Sequence, residues 1–112
     1  MVIQNAKIES TMLGFEDHGI FTCVLHLDYG GSMQGFGTHT LASKNDSKYQ
    51  NTPANYGAHY IMRILQVVGV DKWENLVGMH IRVKREDGWN GKIIAIGNII
   101  KDEWFDPQDL LT

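Results

Sequence analysis

His80, Arg82 and Lys84 alternate along one short stretch, with Arg85 on the opposite side and Trp89 a few residues beyond. On a strand this alternation puts the first three side chains on one face. Guanidinium forks bind phosphate oxygens bidentately and an exposed indole stacks on a base, so the grouping suits a phosphorylated base. The same residues would equally make a solvated charged face balanced by Glu86 and Asp87. Phe36, set between Gly35 and Gly37, is a second stacking candidate, and Arg63 is a second phosphate candidate.

Other chemistries are less well served. The five histidines, His18, His26, His39, His59 and His80, form no His-x-His or His-x-x-x-His pair. His26 and Asp28 share a strand face, but a structural metal site takes about four ligands and cysteine partners are missing, so no metal and no cofactor is expected. Cys23 is the single cysteine. It excludes an internal disulfide, and its place in an apolar alternating run gives it no electropositive setting that would activate the thiol. The carboxylate pairs Glu16-Asp17, Glu86-Asp87 and Asp102-Glu103 fall on turns, which is a solvated-surface pattern. No residue is therefore assigned a catalytic role. Gly30 to Gly37 lacks the Gly-Lys-Ser/Thr ending of a phosphate loop and runs into no helix; turn geometry and close packing account for it.

These residues need a scaffold, and hydrophobic periodicity supplies it. Residues 2 to 14 read as a first strand. Phe21, Cys23, Leu25, Leu27 and Tyr29 alternate as the core face of a second, with Thr22, Val24, His26 and Asp28 on the other side. Gly30-Gly31 suits a two-residue hairpin turn, so residues 32 to 41 return antiparallel. Glycines weaken a strand interior, and Gly35 and Gly37 imply that a backbone, helix or ligand comes close. Residues 42 to 53 are polar and rich in turn formers, which predicts a flexible surface loop. Thr52-Pro53 starts the main helix and Gly69 stops it, with Gly57, Ile61, Ile64, Leu65 and Val68 as its apolar stripe. Asp71 and Glu74 have capping-box spacing and predict a short second helix. Residues 79 to 86 and 92 to 100 form a second hairpin, whose last strand is apolar on both faces. Trp104 and Phe105, two large aromatics near a terminus, are expected to dock. The fold class is α+β, an antiparallel sheet of about five strands in the order β-β-β-α-α-β-β, with one main and one short helix.

Composition sets outer limits. At 112 residues the chain has room for one domain, residues 1 to 112, and self-association would help so small a core. With 43% hydrophobic and 21% charged residues it is expected to fold. The formal charge of −3 argues against direct nucleic-acid binding over the whole surface. No apolar run reaches membrane-span length and the N-terminus lacks a secretory pattern, so the chain is expected to be cytoplasmic and not membrane-bound.

Several stretches carry a resemblance: Gly14-Phe15-Glu16-Asp17-His18-Gly19-Ile20, Leu25-His26-Leu27-Asp28-Tyr29-Gly30-Gly31, Gln34-Gly35-Phe36-Gly37 and Ile96-Gly97-Asn98-Ile99-Ile100-Lys101-Asp102-Glu103-Trp104-Phe105-Asp106-Pro107. In these the chain resembles small proteins encoded by bacteriophages and prophages. In shape and size it is similar to the Thoeris anti-defence family, small oligomers that sequester cyclic ADP-ribose signals made by bacterial TIR-domain proteins. The resemblance implies a dimer or larger assembly in the host cytoplasm, with a nucleotide held without turnover in pockets at subunit contacts. Adenine would stack on an aromatic ring, arginines would hold the diphosphate, and polar side chains would read the ribose. Phe36, Arg63, Arg82, Trp89 and Asn98 are residues of those types. An alternative is a protein-directed inhibitor of a host defence effector, such as an anti-CRISPR, although a charge of −3 is modest for nucleic-acid mimicry. A small hydrolase or lyase acting on the same signals would need a pocketed His and carboxylate pair.

Overall fold

A computed structural model describes residues 1 to 16, 19 to 42 and 55 to 111. Six antiparallel strands and one α-helix make the α+β fold: β1 (Val2–Glu16), β2 (Ile20–Tyr29), β3 (Ser32–Ala42), α1 (Tyr56–Val68), β4 (His80–Arg85), β5 (Ile93–Gly97) and β6 (Trp104–Phe105). In space the strands run β3-β2-β1-β4-β5-β6. The long β1 is the hinge of this order, pairing β4 through its first half and β2 through its second. A bulge between Ile8 and Ser10 interrupts the β1–β2 ladder just beyond the end of the β4 pairing and reverses which face each later residue of β1 presents. Among the described residues, no helix is long and apolar enough to cross a membrane.

Alternation on β2 works on the inner face, where Cys23, Leu25, Leu27 and Tyr29 are buried with Ile8, Ile81, Val83 and Ile96, while Phe21 is only partly buried against them. Full burial of each such aliphatic side chain contributes about 1.5–3 kcal/mol. The outer face departs from expectation, since Thr22 is 1% and Val24 9% exposed. Val24 lies between Met12 on β1 and the glycine pair of β3, and a Cβ on Gly35 would stand 3.4 Å from its Cγ1. The close approach expected at Gly37 is made by backbone: φ is +155°, and a side chain there would run into the Cys23 carbonyl.

The helix packs on the inner face by a stripe rotated from the predicted one, burying Tyr60, Ile64, Val67 and Val68 and leaving Ile61 and Leu65 partly buried. Gly57 does allow the contact with the sheet, as a Cβ there would lie 3.0 Å from the Leu41 carbonyl oxygen. Gly69 ends the helix in the left-handed region, its N–H donating to Leu65 O. The expected start at Thr52-Pro53 and the polar stretch from residue 43 lie outside the described residues.

The short second helix reduces to one 3-10 turn, Trp73–Asn75, in which Lys72 holds the cap position with no side-chain cap bond. The chain is claimed by the sheet too soon for a helix: Leu76 is buried, Gly78 N–H donates to Ile8 O, and Ile8 N–H donates to Met79 O. The sixth strand comes from the C-terminal aromatics, which pair with the end of β5.

Candidate functional site

The sheet curls until its first and last strands approach. Gln34 on β3 spans the gap: its Nε2 donates to Tyr29 Oη (2.9 Å) and to Gly91 O (3.1 Å), and its Oε1 accepts from Ile93 N–H (2.7 Å). Beside this latch, Phe36 of β3 meets Phe105 of β6 edge to face at 6.2 Å, and Tyr60 continues the stack from the helix at 5.0 Å from Phe105. A groove of about 450 Å³ opens beside this stack, lined by Phe36, Thr38, Tyr56 and Tyr60, with Lys92, Asp106 and Gln108 among its polar groups. This is within the size range of small-ligand sites, about 300–1,000 Å³, and it has their mixture of aromatic walls and a few polar groups.

Burial moves the ionisation of the groups around the groove toward their neutral forms. The Tyr60 phenol is pushed up, by desolvation first. The Tyr56 phenol is also raised by desolvation, partly offset by a hydrogen bond with the Thr38 side chain. On the neighbouring strand burial raises the Cys23 thiol to about 12, so at neutral pH it is a packed, protonated thiol.

A second arrangement occupies the outer face at β4, where the sequence placed His80, Arg82 and Lys84 together. The ring beside Arg82 and Lys84 is Trp104, which the sequence alone did not link to them. Gly97 stands opposite Trp104 in the ladder, and the indole covers it so closely that a Cβ on Gly97 would lie 2.6 Å from the ring. The Arg82 guanidinium sits 4.9 Å and Lys84 Nζ 4.6 Å from the indole centroid. Asp102 accepts the indole N–H at 3.0 Å.

The turn from β5 to β6 explains what Arg82 and Asn98 do. Asn98 Oδ1 accepts from the Ile100 and Lys101 N–H groups, and its Nδ2 donates to Val67 O at the end of α1. Arg82 donates from Nε to Asn98 O (2.7 Å) and from Nη2 to Lys101 O (2.8 Å). Arg63 reaches the same segment from the helix, with Nη2 to Trp104 O and Nη1 to Gln66 Oε1. Three of the five expected ligand residues, Arg63, Arg82 and Asn98, thus converge on one segment and spend donors on building it. Phe36 lies apart, in the floor of the groove, buried to 4% exposure.

Trp89 is 89% exposed at the tip of the β4–β5 hairpin. That hairpin is braced from behind: Arg85 donates to Gln4 Oε1, Glu86 O and Gly88 O, and Asp87 accepts from the N-terminal ammonium at 2.7 Å. Tyr56, Lys92 and Gln108 were missed by the sequence reading because the groove joins residues far apart in the chain. Trp104 carried a usable signal, an aromatic residue a turn away from a strand glycine. Comparison with protein-family models, curated proteins and solved structures finds no match to the chain.

Proposed function

We propose that this chain is a non-catalytic binding protein for a cyclic nucleotide signal of the cyclic ADP-ribose type, acting as a phage counter-defence sponge in the host cytoplasm. The observation that carries the reading is the groove between β3, α1 and the segment that follows β6, whose volume of about 450 Å³ and lining by Phe36, Tyr56 and Tyr60 suit a nucleoside. A purine would lie against Tyr56, Lys92 would face a phosphate, and Thr38 and Gln108 would bond ribose hydroxyls. Cys23, Tyr56 and Tyr60 stay neutral beside it, so none of these three is a ready nucleophile. The sequence resemblance points to the same role.

The test is a thermal-shift panel of cyclic ADP-ribose isomers and cyclic di- and trinucleotides, followed by denaturation and identification of what is released. A ligand at about a hundred times its Kd adds about 2.7 kcal/mol of stability. Stabilisation with intact release supports the sponge; altered ligand makes the chain an enzyme; no shift with any ligand removes the reading.

One observation favours a second reading, a protein-directed inhibitor. An indole 89% exposed on a braced hairpin has the form of an interface anchor, since tryptophan dominates binding hot spots. Stable co-purification with a host effector that Trp89→Ala abolishes, without nucleotide binding, would select it.

A further inference from the structure

The outer face of β4 holds two cations over one indole with, among the described residues, no carboxylate paired to either, and we propose that it is a docking site for phosphoryl oxygens, held between Arg82 and Lys84 with Trp104 as its wall. This site is separate from the groove and does not depend on what the groove binds.

The guanidinium is fixed in advance. Its Nε and Nη2 are held by Asn98 O and Lys101 O, and among the described residues no acceptor meets Nη1. An arginine locked in this way loses little further freedom when it binds an anion. Lys84 is the second arm. Among the described residues the ion pairs are Met1 with Asp87 and Lys7 with Glu9, so Lys84 Nζ faces the ring without a carboxylate. The two residues alternate on one strand, which sets their Cα atoms about 7 Å apart. Both charged groups stand within 5 Å of the same ring centroid, a like-charged pair held together in a chain of formal charge −3.

Neighbouring charges favour an anion. Lys7 extends the same face from β1, opposite His80, and its partner Glu9 is a loose 3.9 Å away. The Asp102 carboxylate is engaged at the indole N–H edge. A phosphoryl group presents several oxygens and accepts from both cations at once, and the indole wall excludes water from one side of it. The source is either a free polyphosphate or the phosphodiester backbone of a nucleic acid.

The test follows the Trp104 indole N–H by ¹H–¹⁵N NMR while the full chain is titrated with inorganic pyrophosphate and, separately, with a single-stranded ten-nucleotide oligothymidylate. A saturable shift is expected, weakening as salt is added. Lys84→Gln should bind about tenfold more weakly, as expected for loss of one charge-assisted bond, and Lys84→Arg should retain binding. Tighter binding of pyrophosphate identifies a free polyphosphate as the source, and tighter binding of the oligonucleotide identifies a backbone. An indole signal unmoved by both probes overturns the proposal, as does a folded Lys84→Gln chain that binds like the original. Backbone amides of Phe36 and Tyr56 report the groove in the same spectra, so failure at one site is distinguishable from failure at the other.

Discussion

The Trp104 indole lies on Gly97, filling the space where any other residue would carry its side chain. This contact orders the outer face: it positions the ring under Arg82 and Lys84, and it turns a two-residue strand into a stable edge of the sheet.

Gly97→Ala places a methyl 2.6 Å from the ring and must displace it. The cost should be about 1–3 kcal/mol, as for other overpacked sites. Urea denaturation measures it, and unchanged stability would show that the indole moves aside freely.

Gln34→Ala leaves Ile93 N–H, Gly91 O and Tyr29 Oη without the partner that spans the gap between β3 and β5. Loss of about 1–3 kcal/mol is expected for stranding such groups. Hydrogen exchange should accelerate first at Ile93.

Trp89→Ala should leave stability within about 0.5 kcal/mol of the original, because the indole is almost wholly exposed. A loss of about 1–3 kcal/mol in nucleotide affinity would place Trp89 against a base. Full affinity would exclude it from nucleotide recognition.

Two ionisations give the stability a pH dependence of opposite sign at the two ends. Burial raises Cys23 to about 12, so its contribution is complete below the unfolded thiol value of about 8.5 and is lost progressively as pH rises toward 12. Between about pH 8.5 and 10, before tyrosines titrate, Cys23→Val should flatten the decline. The N-terminal ammonium lowers Asp87 through a hydrogen bond and its charge. That contribution is present above the ordinary aspartate range and fades as pH falls through it; Asp87→Asn should remove this acid-side slope in equilibrium unfolding.

Local chemistry made much of the fold legible. The Gly30-Gly31 hairpin, the inner face of β2, the helix and its Gly69 stop follow from short-range patterns, and the docking of Trp104 and Phe105 was expected from their bulk. The bulge after Ile8 was not legible, because a shift of register shows only against the partner strand. Nor was the short helix recognisable as a turn, since Gly78 and Met79 are captured by Ile8, some seventy positions earlier. At the outer face the alternation of His80, Arg82 and Lys84 was legible, whereas Trp104 reaches that face only through its pairing with Gly97. Asn98 had the type of a ribose-reading residue, yet its side chain organises the turn that carries Trp104. The groove joins β3 to the C-terminal segment, and no local pattern announces such a meeting.

Gln34 has one more consequence, for the behaviour of the chain among its own copies. An unpaired strand border is a template on which another chain can grow, and proteins suppress that hazard by hiding or distorting it. Here the border of β3 is turned inward toward β5, with Gln34 bonded across the gap and Phe36 packed on Phe105 beside it. Opening the Gln34 bonds would bare that border to other copies, so Gln34→Ala is expected to aggregate at concentrations the original chain tolerates.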